Sequence, residues 1–283
     1  MLVNSNEILK LAMKNNYAVP AYNINNLEWT KYILEACNED KSPVILGVSE
    51  SAAKYMGGYT VVASLVKSLL KSIDIKIPVI LHLDHGKSFE ACKDAIDAGF
   101  TSVMIDASSK PFEENVSETL RVVDYAKNKN ISVEAELGSL NEEETSGGKI
   151  AYSTPEEAKD FVFQTGINSL APAIGNQHGI YKGEPKLDFE LLGSICRLTK
   201  IPLVLHGASG LDENKLKTAI FCGITKININ TDIQLVWAEA VRKYIKENPD
   251  EYDPRKIISS GKSAIKNIVH KKNELFGCKN RAN

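Results

Sequence analysis

The 283-residue chain has five cysteines, Cys37, Cys92, Cys196, Cys222 and Cys278, and none stands in a C-x-x-C pair. An odd, scattered set excludes a disulfide framework and a thiolate zinc knuckle, and leaves ordinary thiols of a reducing compartment. Charge of one sign is also lacking. Thirty-four basic residues meet 36 acidic ones for a net charge of -2, with no Lys/Arg cluster of the kind that binds nucleic acid. No apolar run approaches the ~20 residues of a membrane span, and the first residues, MLVNSNEILKLAMKNN, are polar and helix-like rather than those of a secretory leader. A cytoplasmic protein with no membrane and no nucleic-acid partner is expected. Linkers, low-complexity tracts and composition shifts are missing too, so residues 1–283 are read as one domain. No G-x-G-x-x-G follows the first apolar run, which weakens a dinucleotide-binding sheet.

What is present is a regular alternation. Hydrophobic residues make up 43% and charged residues 25%, enough for a large core. Eight short apolar runs read as strands: Ala18–Asn23, Val44–Val48, Val79–Leu83, Ser102–Ile105, Ser132–Leu137, Ser169–Ala173, Leu203–Leu205 and Lys226–Ile229. Several, such as PVILHL and PLVLH, are apolar on both faces, as strands covered by helices must be. Amphipathic stretches lie between them. Lys87–Ala98 ends at Gly99, Pro111–Asn130 opens on proline and acidic residues, and Thr154–Thr165 begins with a cap, a proline and two glutamates. The pattern predicts an α/β fold of the closed (β/α)8, or TIM barrel, type with a C-terminal helical extension. An open doubly wound sheet is the alternative.

Barrel chemistry collects where strands end at the C-terminal face. His85 closes strand three in HLDHG, His178 follows strand six in AIGNQHG, and His206 ends strand seven in LVLHGASG. Three neutral imidazoles at converging strand ends make a catalytic zinc set with one position open. His82 alternates with Asp84 and is expected to point into the barrel as a structural residue; His270 sits in a charged helical stretch. Asp84 reads as a general acid/base beside the metal or as a carboxylate that orients an imidazole. Asp106 ends strand four, and Glu134 and Glu136 share a face of strand five. Buried carboxylates need partners, so Asp106 and Glu136 form either a second metal position or a hydrogen-bonded core. The loop Gly207-Ala208-Ser209-Gly210 after strand seven, and Asn228-Ile229-Asn230-Thr231 where strand eight runs into a helix, sit where barrels often bind phosphate. NEEETSGG, residues 141–148, is a solvated turn or a loop that delivers a carboxylate.

The motifs HLDHG, GFTSVMIDAS, SVEAELG, APAIGNQHGIYKGEP, LVLHGASG, KININTD and EYDPRK resemble those of the class II, metal-dependent fructose-bisphosphate aldolases, a family shared with the tagatose-bisphosphate aldolases. The resemblance runs from AVPAYNIN near residue 18 to YDPRK near residue 255. It implies reversible, zinc-dependent cleavage of a sugar bisphosphate to dihydroxyacetone phosphate and glyceraldehyde 3-phosphate through an enediolate, in glycolysis or gluconeogenesis. It implies His85, His178 and His206 as zinc ligands, and Asp84 as the residue exchanging a proton with the aldehyde-derived oxygen. Asp106 and Glu136 match a second metal or monovalent cation site. Gly179, Lys182, Gly207, Ala208, Ser209, Asn228, Ile229, Asn230 and Thr231 match the groups around dihydroxyacetone phosphate. Asn23 and Ser49 match substrate contacts. Arg255 matches an arginine that reaches the other phosphate from the partner subunit, so a homodimer or higher homo-oligomer is implied.

Glu144 aligns with the loop glutamate that takes the carbon-bound proton. This chain departs from the family there: Asn141 and Glu142 stand where a glycine pair is usual, which keeps Glu143 as the alternative base. A Schiff-base lysine is not needed, and Lys226 is expected at the start of strand eight, at the end of the barrel opposite the site. Asn230 stands where fructose enzymes carry Asp or Asn and tagatose enzymes tend to carry Ala. GASG leans towards tagatose, KGEP and EYDPRK towards fructose, so fructose 1,6-bisphosphate is the expected substrate and tagatose 1,6-bisphosphate the alternative. A barrel metal hydrolase and a catalytically silent binding protein are the rivals outside this chemistry.

Overall fold

In the computed structural model the apolar runs become parallel strands that close on one another. The structure describes residues 2–138, 152–177 and 185–282. The strands are β1 (Val19–Asn23), β2 (Val44–Ser49), β3 (Val79–Gly86), β4 (Ser102–Ile105), β5 (Ser132–Leu137), β6 (Ser169–Pro172), β7 (Leu203–Leu205) and β8 (Ile224–Ile229). They form a closed barrel in sequence order, with β1 pairing both β2 and β8. An open sheet is therefore excluded. The helices are α1 (Asn6–Lys14), α2 (Leu27–Glu39), α3 (Glu50–Tyr55), α4 (Tyr59–Ser72), α5 (Phe89–Ala98), α6 (Phe112–Lys127), α7 (Pro155–Thr165), α8 (Phe189–Thr199), α9 (Glu213–Phe221), α10 (Thr231–Glu247), α11 (Pro254–Ser259) and α12 (Lys262–Leu275). Among the described residues no helix is long and apolar enough to cross a membrane.

Local chemistry sets the helix ends. Ser88 accepts the Ala91 N–H at the start of α5, and Gly99 ends it in the left-handed region at φ 104°. Thr154 and Glu157 exchange hydrogen bonds in a capping box, with Pro155 in the first turn of α7. Asp188 accepts the Leu191 N–H at the start of α8, and Asp212 accepts the Asn214 and Lys215 N–H groups at the start of α9. The outward faces of the strands and the inward faces of these helices make one continuous apolar core, with Val44, Leu46, Leu81, Val103, Leu170 and Leu205 essentially without solvent exposure.

The barrel's interior is partly polar. Side chains along a strand alternate with period two, so β3 turns His82 and Asp84 inward, β5 turns Glu134 and Glu136, and β8 turns Lys226 and Asn228. His82, Glu134 and Lys226 form the lower polar tier, and Asp84, Glu136 and Asn228 the upper one. Strand eight begins at Ile224, two residues earlier than the apolar pattern suggests, so Lys226 lies mid-strand rather than at the far end. β3 likewise runs on to Gly86, with its pairing to β4 shifting register between Leu83 and Gly86.

Candidate active site

That irregularity in β3 brings two consecutive residues to one place. After Asp84, strand alternation would turn His85 away from the barrel. Instead His85 adopts φ 55°, in the left-handed region that bulky residues rarely occupy, and its ring reaches over the mouth. The end of β7, across the barrel, supplies His206, whose ring meets that of His85 edge to face with centroids 4.5 Å apart.

The ring nitrogens are assigned by their partners. His85 Nδ1 lies 2.8 Å from Asp106 Oδ2, and His206 Nε2 lies 3.0 Å from Glu134 Oε1. Both carboxylates are acceptors, so those nitrogens carry the protons. The remaining pair, His85 Nε2 and His206 Nδ1, face each other across 3.0 Å, and Asn228 Nδ2 also approaches His206 Nδ1 at 3.3 Å. A positive charge belongs between them, either a proton that His85 Nε2 donates to His206 Nδ1 or a cation that both nitrogens ligate. Two ligands on one tetrahedral zinc sit about 3.3 Å apart at ordinary Zn–N distances, so this donor pair fits a metal. Asp84, His85 and His206 each bring a ligand atom within 4.8 Å of the others, and so do His85, Asp106 and Glu136.

The electrostatics agree. Burial pulls the His85 imidazole down, but the Asp106 hydrogen bond and the Asp84 and Glu136 charges outweigh it and raise its pKa to about 9, the signature of a point that holds positive charge. Burial lowers the pKa of His206. Burial pushes the Asp84 carboxyl up, but the His85, His206 and Lys226 charges hold it well below the usual carboxylate range. Two amides also point at it: Asn23 Nδ2 donates to Oδ2 at 2.7 Å and Asn228 Nδ2 to Oδ1 at 2.9 Å. Glu136 behaves in the opposite way. Burial first, and then the Asp106 charge, raise its pKa to about 8, and its Oε2 is buried without a hydrogen-bond partner among the described residues. Ser108 Oγ lies between the two acids, 2.7 Å from Asp106 and 3.2 Å from Glu136.

Above this floor opens a cavity of about 340 Å³. Asn23, Ser49, Asp84, His85, His206, Gly207, Ala208, Ser209, Asn228, Asn230 and Thr231 line it. Eleven residues from five strand ends or loops thus meet where the sequence pattern places a metal and a phosphate. Asn230 stands at the N-terminus of α10 and makes no side-chain cap, and both Asn230 and Thr231 line the cavity, so this helix end borders it. Gly207 is required as glycine: it has φ 65°, and a Cβ there would collide with the Gln177 carbonyl oxygen. Ile229 is fully buried in the apolar core, so only its backbone is near the cavity.

One expected residue, Arg255, is not brought here. Arg255 is exposed on the first turn of α11 and ion-paired to Asp253 at 2.7 Å. His178, Gly179, Lys182, Glu143 and Glu144 lie outside the described residues. Gln177, the last before His178, backs onto Gly207, next to His206.

The structure adds residues that motif reading missed. Asn176 Nδ2 donates to the His206 carbonyl at 3.0 Å, pinning the β7 end to the β6 loop. Lys87 Nζ donates to Asp106 Oδ2 at 2.7 Å. A recess of about 440 Å³ adjoins the cavity through Asn23, Ser49 and Asn230 and extends to Tyr55 and Gln234. Glu134 and Lys226 lie directly beneath His206. The sequence pattern puts Glu134 on the Glu136 face; period-two counting back from Asn228 could have put Lys226 beside it.

The family model described as "Fructose-bisphosphate aldolase class-II" matches residues 3–281. Fructose-bisphosphate aldolase of Geobacillus stearothermophilus is 53% identical, with 99% of each chain covered. The protein of that name from Staphylococcus aureus (strain N315) is 51% identical, again over 99% of each chain. Among solved structures, the YdjI aldolase from Escherichia coli K12 superposes with a TM-score of 0.88 at 36% identity, covering 100% of both chains.

Proposed function

This chain belongs to the class II fructose-bisphosphate aldolase family, and from that premise we propose that its barrel mouth reversibly cleaves fructose 1,6-bisphosphate to dihydroxyacetone phosphate and glyceraldehyde 3-phosphate. The observation that carries the reading is the convergence of Asp84, His85 and His206 beneath a cavity walled by the β7 loop and the α10 N-terminus. His85, His206 and His178 would hold a zinc ion, which when bound supplies a Lewis acid for the substrate's ketone. Asp106 and Glu136 offer a second cation position beside it.

Asp84 is ionised and held by two amide donors, the form needed to accept a proton. In cleavage it takes the proton from the hydroxyl on the carbon that becomes the aldehyde, as the neighbouring C–C bond breaks. In condensation it returns that proton to the new alkoxide. The Gly207–Ser209 loop and Asn228–Thr231 grip the dihydroxyacetone phosphate end through backbone N–H groups, with Gly179 and Lys182 completing that grip. Asn23 and Ser49 contact the remainder of the substrate. Arg255 of a second copy serves the other phosphate in a homodimer, and Glu144, or Glu143 in its place, handles the carbon-bound proton. Holding both ends fixes the distance between the reacting carbons.

A coupled assay for triose phosphates tests the reading. Fructose 1,6-bisphosphate should be cleaved, EDTA should abolish the activity and zinc should restore it; turnover that survives EDTA and dialysis overturns the metal assignment. Release of inorganic phosphate instead of two trioses would mark a hydrolase. Tagatose 1,6-bisphosphate is the second reading, since the two sugars differ at one hydroxyl-bearing carbon. The Asn230 carboxamide lines the cavity and is able to hydrogen-bond a substrate hydroxyl, which favours fructose. Equal or better turnover of the tagatose isomer overturns that preference.

A further inference from the structure

Lys226 is the feature the proposed chemistry leaves unexplained. Its side chain is 1% exposed inside the barrel, where an ammonium is costly to bury unless every proton is used. All three are used. Nζ lies 2.8 Å from Glu134 Oε1, 2.8 Å from Glu134 Oε2 and 3.2 Å from His82 Nε2. His82 therefore accepts at Nε2 and donates from Nδ1 to Ser102 Oγ at 2.8 Å. Ser169 Oγ approaches Glu134 Oε2 at 3.4 Å. Among the described residues the lower tier is thus a closed polar unit, with one hydrogen bond upwards, from the Nε2–H of His206 to Glu134 Oε1, which Lys226 shares.

That single connection has a direction. Lys226 grips both oxygens of Glu134, which fixes the plane of the carboxylate and keeps it an acceptor. A fixed acceptor below His206 Nε2 forces the ring proton onto that nitrogen and makes Nδ1 the acceptor, the nitrogen that Asn228 Nδ2 approaches at 3.3 Å and His85 Nε2 at 3.0 Å at the proposed metal position. We infer that Lys226 is a positioning residue of the metal centre: it acts through Glu134 to set the tautomer and tilt of His206. His82 is the second anchor, holding the ammonium from the side away from Glu134. The inference rests on the metal reading above. It assigns to Lys226 a role that needs neither substrate contact nor a Schiff base.

The test is zinc affinity, by competition with a chromophoric chelator, and the visible spectrum of the cobalt(II)-substituted protein, for wild type, K226M, E134Q and K226M/E134Q. Loss of an outer partner of a ligating histidine commonly weakens metal binding ~10–100-fold. E134Q and K226M are each expected to weaken zinc binding in that range and to shift the cobalt bands, which report the ligand field at the metal. Because Lys226 acts through Glu134, the double variant should bind zinc no more weakly than E134Q alone. A lysine that only fills the barrel predicts the reverse. K226M would then unfold at lower temperature with unchanged cobalt bands and zinc affinity within twofold, or the two losses would multiply in the double variant; either result overturns the inference. If K226M is recovered only as insoluble protein, K226Q, which keeps one donor for Glu134, carries the same test. Wild-type protein that takes up neither zinc nor cobalt refutes the metal reading itself, a different outcome from wild-type binding that K226M leaves intact.

Discussion

His85 and His270 each present Nδ1 to a buried aspartate, at 2.8 Å to Asp106 and 2.9 Å to Asp40. Beyond that contact the two regions diverge. Around Asp40, the loop after α2 is tied to α12 and the chain beyond it by donors and acceptors that match. Asn273 Nδ2 and Lys279 Nζ also reach the Asp40 carboxylate, Tyr22 OH donates to Asn273 Oδ1, and His270 Nε2 faces Glu39 at 3.3 Å. At the barrel mouth, His85 Nε2 instead meets another histidine nitrogen, and Glu136 Oε2 and Asn228 Oδ1 are buried without hydrogen-bond partners among the described residues. A buried His–Asp pair therefore does not identify a site. What does is a pair of histidine nitrogens facing each other on the floor of a cavity, beside acids and amides of which Glu136 Oε2 and Asn228 Oδ1 lack partners among the described residues. The Asp40 cluster holds the structure together; the mouth gathers ring nitrogens and acids around one point.

The largest expected effect separates the regions outright. D84A should lower kcat by roughly 10²–10⁴-fold, the range for loss of a positioned acid/base. Zinc content and thermal midpoint should stay near wild type, since His85 and His206 keep their carboxylate partners. D40A should leave kcat unchanged while lowering the midpoint. Turnover unaffected by D84A, or abolished by D40A in folded protein, would break the comparison. Chelation sharpens it from the other side: EDTA-treated protein should lose turnover and keep its circular dichroism, because the barrel closes through strand pairing that involves no metal.

How much of this contrast could be read from the chain alone depended on the kind of signal. Parallel strands buried on both faces are apolar runs, so β4, β5 and β7 were legible to the residue. His85 and His206 were legible because they end such runs. Lys226 was misplaced because Ile224 and Thr225 follow directly on a Cys-Gly turn and do not stand out as strand, so the lysine looked like the first residue of β8 rather than its middle. The reach of His85 over the mouth depends on a register shift against β4, a tertiary property with no local sequence mark. The Asp40 cluster joins residues more than 200 positions apart, and nothing in a charged helical stretch such as IVHKKNEL announces it.

A smaller effect is expected at Asn273. This side chain is fully buried and serves Asp40 and Tyr22 at once. N273A leaves the Tyr22 hydroxyl without its side-chain acceptor, although the Val269 carbonyl lies 3.2 Å away to receive it. The expected loss is about 1–3 kcal/mol, the cost of unmaking buried hydrogen bonds, read as a lower midpoint in chemical denaturation. Zinc affinity and kcat should not move. A change in kcat at constant metal content would mean that the tail cluster communicates with the mouth, against the division drawn above.

The smallest effect is a pH dependence. Burial pushes the Asp40 carboxyl up, but the Asn273, His270 and Lys279 hydrogen bonds outweigh it and hold its pKa below the ordinary value. A carboxyl depressed in the folded state contributes stability that is present above its unfolded pKa and lost as pH falls through its folded one. The unfolded value is about 3.9, so the contribution should be complete by about pH 5 and should fade below about pH 4. Asp84 and Asp106 are depressed in the same direction, so acid destabilisation of the wild type alone cannot be assigned to either region. The difference between wild type and D40N can. That gap in unfolding free energy should be present at pH 5 and narrow steadily below pH 4. A gap that widened on acidification would place the depressed carboxyl elsewhere and remove the tail cluster's claim to be held by an ionised aspartate.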